Sequence, residues 1–282
     1  MGRPITLQPV SIFSIAIGNL YQRIAMKEEE SNPYAGSIIF QFVLTILTGI
    51  FALIKGFEFP PINLIGYFLI STLFYGFGTL SYFHALKHIE ASESTILTSI
   101  GGMVTIISAY IFLGERLTLF QLLGFVFIIA SVGIVSASNR GIRWNRGIIY
   151  AIVGTSLYGL AVTNDTFILR SYDAISYTPV ISFLPGLLLV LLKPSSYKSV
   201  IETLNNKRIR PLFLYCFFYA VQAVTYYLAL ESGAMASQMA ILFKTEIILT
   251  IILAAVFLHE RSHLLRKFVA TVLVLVGAYF LL

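Results

Sequence analysis

The sequence predicts an all-α integral membrane protein, ten transmembrane helices arranged as two inverted five-helix repeats. Three observations carry that prediction. The first is composition: 57% of residues are hydrophobic, only 11% are charged, and the mean hydropathy is +0.86, a balance that a soluble domain does not show. The second is a set of ten apolar stretches, each near the roughly 20 residues that a spanning helix needs. The third is a duplication. The segment from Ala91-Ser92-Glu93-Ser94 to Leu113-Gly114-Glu115-Arg116 returns as Ala236-Ser237-Gln238-Met239 to Leu258-His259-Glu260-Arg261, at a constant offset of 145 residues. Ser81-Tyr82-Phe83-His84-Ala85-Leu86 likewise aligns with Thr225-Tyr226-Tyr227-Leu228-Ala229-Leu230 at an offset of 144.

The stretches fall near residues 5–26, 35–56, 62–86, 91–113, 118–138, 147–169, 175–192, 210–230, 235–258 and 264–282. They divide the chain into a first repeat over 1–138, a basic connection over 139–146 and a second repeat over 147–282. The largest polar connections are Lys27 to Pro33, Ser138 to Arg146 and Lys193 to Arg210, too short for a soluble catalytic domain. The first apolar stretch is too long for a signal peptide and lacks a small-residue cleavage site, so none is expected.

The loops assign an orientation. On the side of the N-terminus lie four basic residues, Arg3, Lys55, Arg116 and Arg170. The other side holds fourteen, from Arg23 and Lys27 through Arg140, Arg143 and Arg146 to Arg266 and Lys267. An excess of Lys and Arg marks cytoplasmic loops, so both termini are expected outside a cell (inner) membrane. Five spans per repeat is an odd number, and the second copy therefore enters inverted. Inverted repeats are common in secondary transporters. The net charge of +6 is dispersed over these loops and is not read as a nucleic-acid surface. The single cysteine, Cys216, sits within the eighth span and has no intramolecular partner.

Each half ends in a long apolar helix, then Leu113-Gly114-Glu115-Arg116-Leu117-Thr118 or Leu258-His259-Glu260-Arg261-Ser262, then a glycine-punctuated helix containing Gly124 and Gly133 or Gly277. In these features the whole chain resembles the EamA-type transporters of the drug/metabolite transporter superfamily. The resemblance implies a ten-helix carrier with a midplane cavity between the halves. Two departures stand out: the proline common in that family thirteen residues before the signature glutamate is replaced by Gly102 and Ile247, although Glu246 stands where a family glutamate precedes it. Many family members have both termini in the cytoplasm, opposite to the charge count here.

Candidate cavity residues follow. In the eighth span Tyr215, Tyr219, Gln222 and Tyr226 recur at steps of four, three and four, on one helix face. In the third span Ser71, Tyr75, Gly78 and Tyr82 match them. Such stripes are either packing surfaces or a polar-aromatic wall for a solute. Lys244 and Glu246 lie in the middle of the ninth span, where a charge costs about 2.5–3.5 kcal/mol. Residues two apart occupy nearly opposite faces of a helix. Either Lys244 forms a structural ion pair with Asp165 or Glu93, or Glu246 is a proton- or cation-coupling carboxylate and Lys244 an anchor for an anionic group. Asn19, Gln22 and Asn164 add polar groups in spans one and six. Asp165 is expected at a wetted mouth or paired with Arg170. Thr95, Thr98 and Ser99 are expected to bond to their own helix, and Glu115 and Glu260 to organise turns as gating or packing devices.

His259-Glu260-Arg261-Ser262-His263 fits the zinc pattern H-E-x-x-H, but it occupies a short connection and Gly114 replaces the first histidine in the other copy. No metal and no cofactor are therefore expected. There is no phosphate-binding loop for ATP and no nucleophile and base pair, so the chain is not read as an enzyme; His84 and His88 are read as helix-end residues. The partners expected are a small-molecule substrate and the lipid bilayer, with no nucleic acid; an oligomer is not implied. The functional expectation is export or exchange of a small polar metabolite, amino acids or their relatives by resemblance, by alternating access and with a proton gradient as candidate drive. The alternatives are a flippase for a lipid-linked sugar and a membrane scaffold or sensor that does not transport.

Overall fold

The computed structural model describes residues 8–27, 30–114, 118–138, 141–142, 145–205, 209–234, 239, 243, 246–260 and 262–281. In chain order the helices are α1 (Gln8–Met26), α2 (Pro33–Lys55), α3 (Ile65–His88), α4 (Ala91–Ser108), α5 (Leu119–Ser136), α6 (Arg146–Ile168), α7 (Ala174–Leu192), α8 (Ser196–Asn205), α9 (Ile209–Glu231), α10 (Glu246–Phe257) and α11 (Leu264–Leu281). A 3-10 turn, Ile62–Leu64, leads into α3, and α4 runs on through a π turn, Ala109–Leu113, to Gly114 in the left-handed region at φ 72°. A two-residue antiparallel bridge, Ala137–Ser138 with Gly141–Ile142, closes the first half.

All of these helices except α8 fall on the predicted apolar stretches. Among the described residues six segments are long and apolar enough to cross a membrane: Pro33–Lys55, Ile62–His88, Ala91–Leu113, Arg146–Ile168, Ala174–Leu192 and Ile209–Glu231. Leu122–Ile134 and Glu246–Phe257 are shorter apolar stretches, and much of the predicted ninth span lies outside the described residues. The helix α8 corrects the reading of residues 193–210 as a plain polar connection. Tyr197, Ile201 and Leu204, spaced four and three apart, form an exposed apolar stripe, the pattern of a helix lying in an interface plane.

Helix starts follow local chemistry. Asn32 caps α2 by accepting from the amides of Tyr34 and Ala35, with Pro33 at the first helical position. Asn145 and Asp173 cap α6 and α7. Glu90 and Glu93 form a capping box at α4.

Packing repeats across the halves. Helix α1 packs on α9 as α6 packs on α3; α10 lies on α1 as α4 lies on α6; α9 touches α2 as α3 touches α7. Helices α2 and α7, α4 and α10, and α5 and α11 meet their own counterparts. Exchanging the two halves maps this set of contacts onto itself, which is a pseudo-two-fold arrangement. Backbones approach closely at these crossings: a Cβ on Gly159 would sit 2.4 Å from the Gly101 carbonyl oxygen, and one on Gly277 would sit 2.8 Å from that of Gly124. Small residues permit such contact where lipid supplies no hydrophobic drive. The large hydrophobic side chains left exposed, such as Leu53, Ile54, Val126, Phe217 and Phe268, face outward, as in a protein whose solvent is lipid.

Candidate functional site

A cavity of about 190 Å³ opens between the halves, walled by α1, α3 and α4 from the first and α6, α9 and α10 from the second. From the predicted stripes come Tyr75 and Tyr82 of α3 and Tyr215, Tyr219, Gln222 and Tyr226 of α9. Asn19 and Gln22 of α1 and Glu246 at the start of α10 complete the polar lining. These nine candidates thus line one cavity. Lys244 lies outside the described residues, as do Glu115, Arg116 and Arg261. Asn164 is turned away from the cavity: its amide donates to the Tyr67 carbonyl and the Ser71 hydroxyl, both at 2.8 Å.

The wall is aromatic and ordered by ring contacts. Phe40 stacks on Tyr215 and meets Tyr219 edge-on, each at 4.9 Å between centroids. Tyr226 meets Phe243 edge-on at 4.9 Å. Tyr158, a wall residue that the sequence did not single out, donates to Thr79 at 3.0 Å, and Gln41 donates to the same hydroxyl at 3.0 Å. Thr95, Thr98 and Ser99 bond to carbonyls of their own helix as expected, and Thr98 still reaches the wall.

Asp165 is corrected. It is 0% exposed, not at a wetted mouth. Its carboxylate accepts from Ser71 at 2.9 Å, Tyr75 at 2.5 Å and Tyr177 at 2.5 Å. The Tyr75 and Tyr227 hydroxyls are 2.9 Å apart. Arg170, one of the two partners expected from sequence, instead lies over the Phe167 ring at 5.3 Å; the other, Lys244, is outside the described residues. Position 165 is one turn inside α6, and α3 and α7, whose side chains bond it, cover that turn.

A charged cluster occupies the other end of α3. Arg23 at the end of α1 donates to Glu260 at 3.3 Å and to the Leu86 carbonyl. Ser92 donates to Glu260 at 3.5 Å. Glu90 accepts from Ser262 at 2.6 Å and from Lys267 of α11. Burial works against the ionised form of Glu90, but the bonds from Lys267 and Ser262 prevail and hold its carboxyl below the ordinary value. Burial and the neighbouring Glu90 charge push Glu260 up, against the pull of Arg23. The signature glutamate of the second repeat is therefore tied to the first. Ser71 and Leu86 are fifteen residues apart on α3, so the Asp165 and Glu260 clusters are separated by about 22 Å along the bundle.

The H-E-x-x-H pattern is not one helical turn. Helix α10 ends at Phe257 and α11 begins at Leu264, while His259 and His263 have left-handed backbones at φ 56° and 49°. Among the described residues no group of three metal-ligating side chains occurs.

The family model described as the EamA-like transporter family matches residues 5–137 and 145–282, one match per repeat. An uncharacterised protein of Methanocaldococcus jannaschii is 29% identical over 136 residues, which make up 46% of this chain and 93% of the relative; that protein thus has about the length of one repeat. A solved crystal structure, described only as that of a protein, superposes with a TM-score of 0.70 at 14% identity, over 98% of this chain and 95% of the other. That likeness shows a shared fold.

Proposed function

Since the chain belongs to the EamA-like transporter family, with both halves matching it, we propose that it is a ten-span secondary carrier whose inverted repeats alternate access to the cavity between them. The observation that carries this reading is that the cavity is walled by corresponding helices of both halves, α1, α3 and α4 from one and α6, α9 and α10 from the other. Rocking one half against the other would expose such a site to either side in turn. A volume of about 190 Å³ is below the roughly 300–1,000 Å³ typical of drug-sized pockets, which favours a metabolite of amino-acid size. Phenol rings offer faces for its planar or aliphatic part; Asn19, Gln22 and Gln222 offer hydrogen bonds to its heteroatoms. Glu246 is 5% exposed on this wall and is the candidate proton- or cation-coupling carboxylate. Both termini face outward by the charge count.

The test is counterflow of labelled amino acids, nucleobases and sugars in proteoliposomes, comparing the wild type with Glu246→Gln. Exchange of one solute class is expected in both proteins, with accumulation driven by a proton gradient lost only in the variant. Gradient-driven uptake unchanged in Glu246→Gln refutes the coupling role. Absence of exchange for every soluble solute by folded protein refutes the metabolite reading in favour of a lipid-linked substrate.

A further inference from the structure

A second buried carboxylate lies one hydroxyl away from the cavity. Tyr75 and Tyr227 line the cavity and Asp165 does not, yet the Tyr75 hydroxyl is 2.5 Å from Asp165 Oδ2 and 2.9 Å from the Tyr227 hydroxyl. The carboxylate is 0% exposed. The titratable groups facing it are Tyr75 of α3, Tyr177 of α7 and Tyr219, Tyr226 and Tyr227 of α9. Helix α4, packed on another side of α6, presents Thr105 and Ser108, which bond to the Gly159 carbonyl and Thr163. Among the described residues no cation is paired with Asp165. A buried carboxylate that accepts from neutral hydroxyls relies on those donors in its ionised form, and sheds the cost of burying its charge by taking up a proton.

We propose that Asp165 is a proton-binding site, loaded from the cavity through the Tyr75 hydroxyl, and that its occupancy sets the strength of a latch between the two repeats. Loading is a two-bond relay. A hydronium in the cavity gives a proton to the Tyr75 oxygen as the existing Tyr75 O–H proton passes to Asp165 Oδ2. Tyr75 ends as a neutral phenol, water is released, and the carboxyl gains one proton.

The consequence lies in the hydrogen bonds. Ser71 and Tyr75 belong to the first repeat; Asp165 and Tyr177 belong to the second. With Asp165 ionised, all three hydroxyls donate to a charge, and such bonds are roughly twice as strong as neutral ones. With Asp165 protonated, the Tyr75 bond reverses direction and the other two become neutral. The α3 contact to α6 and α7 is then looser at this end, about 22 Å from the Arg23–Glu260 pair that ties the repeats at the other. Coupling this latch to transport rests on the carrier reading above; the proton site itself does not.

Infrared difference spectroscopy on the purified full chain in nanodiscs tests it without a substrate. A reversible carbonyl band of a protonated carboxyl is expected on titration between about pH 5 and 9, with one component, separate from any belonging to Glu246, that is lost in Asp165→Asn and retained in Glu246→Gln. In Tyr75→Phe, which removes one donor, its midpoint should be displaced about tenfold or more in proton concentration. An identical band in Asp165→Asn, no band titrating in the wild type, or an undisplaced midpoint in Tyr75→Phe overturns the proposal. Should Asp165→Asn fail to fold, the Tyr75→Phe midpoint alone decides.

Discussion

Replacing Gly159 by alanine tests the crossing of α4 and α6, which forms one side of the cavity. The new Cβ would lie 2.4 Å from the Gly101 carbonyl oxygen, 3.0 Å from Val104 Cβ and 3.1 Å from the Thr105 nitrogen. The first of these atoms is backbone on a neighbouring helix, so no rotamer change relieves it; the helices must separate by about 1 Å to restore ordinary contact. Overpacking of this kind costs about 1–3 kcal/mol. Separation also stretches the bonds from Thr105 to the Gly159 carbonyl, 3.2 Å, and from Thr163 to the Thr105 carbonyl, 3.4 Å, each worth about 0.6 kcal/mol in a membrane protein. The total is about 2–4 kcal/mol, offset by an alanine's better helix propensity. Gly133→Ala isolates that propensity effect, because nothing lies within 4 Å of its Cβ. Reversible unfolding in mixed detergent micelles, followed by circular dichroism, should place Gly159→Ala about 2–4 kcal/mol below Gly133→Ala, a shift of roughly thirtyfold or more in the folded-to-unfolded ratio. Equal stability of the two variants, within about 0.5 kcal/mol, would refute the close-crossing argument.

The charged cluster predicts a pH dependence. Because the folded state holds Glu90 below its ordinary value, its contribution is present above the unfolded value of 4.5 and is lost as pH falls through the folded one. Glu260 has the opposite sign, contributing at low pH and losing that contribution as pH rises through its raised value. Lys267→Met should lower stability at pH 7 by about 1–3 kcal/mol and flatten the acid limb belonging to Glu90; unfolding midpoints measured from about pH 3 to 7 check both. At the start of α2, Asn32→Ala removes the acceptor of two amides and should cost about 1 kcal/mol, read by the same unfolding assay.

Much of the candidate wall was legible in the amino-acid order. Tyr215, Tyr219, Gln222 and Tyr226 fall on one face because helical period and spacing alone fix that, and all four reach the cavity. The paired stripe in α3 was only partly legible. Tyr75 and Tyr82 line the cavity, but Ser71 turns to Asp165, and Gly78 gives room to the Tyr158 ring, which would lie 3.2 Å from a Cβ at that position. Tyr158 itself carries no aromatic stripe, since the positions three and four away in α6 are Gly154, Thr155, Ala161 and Val162. The helix α8 did carry one, in Tyr197, Ile201 and Leu204, hidden by the charges around it.

The sequence by itself determined the solvent, the duplication and the order of the helices, because hydropathy and repetition are properties of the chain read in one dimension. It also pointed to the family through two matching Glu-Arg signatures. Tertiary structure decided which polar groups meet. Asp165 and Arg170 are five residues apart, yet the carboxylate is claimed by hydroxyls 94, 90 and 12 positions away. Glu260 is tied to Arg23 across 237 positions. Burial and long-range partners depend on how helices are placed beside one another, and no local periodicity encodes that.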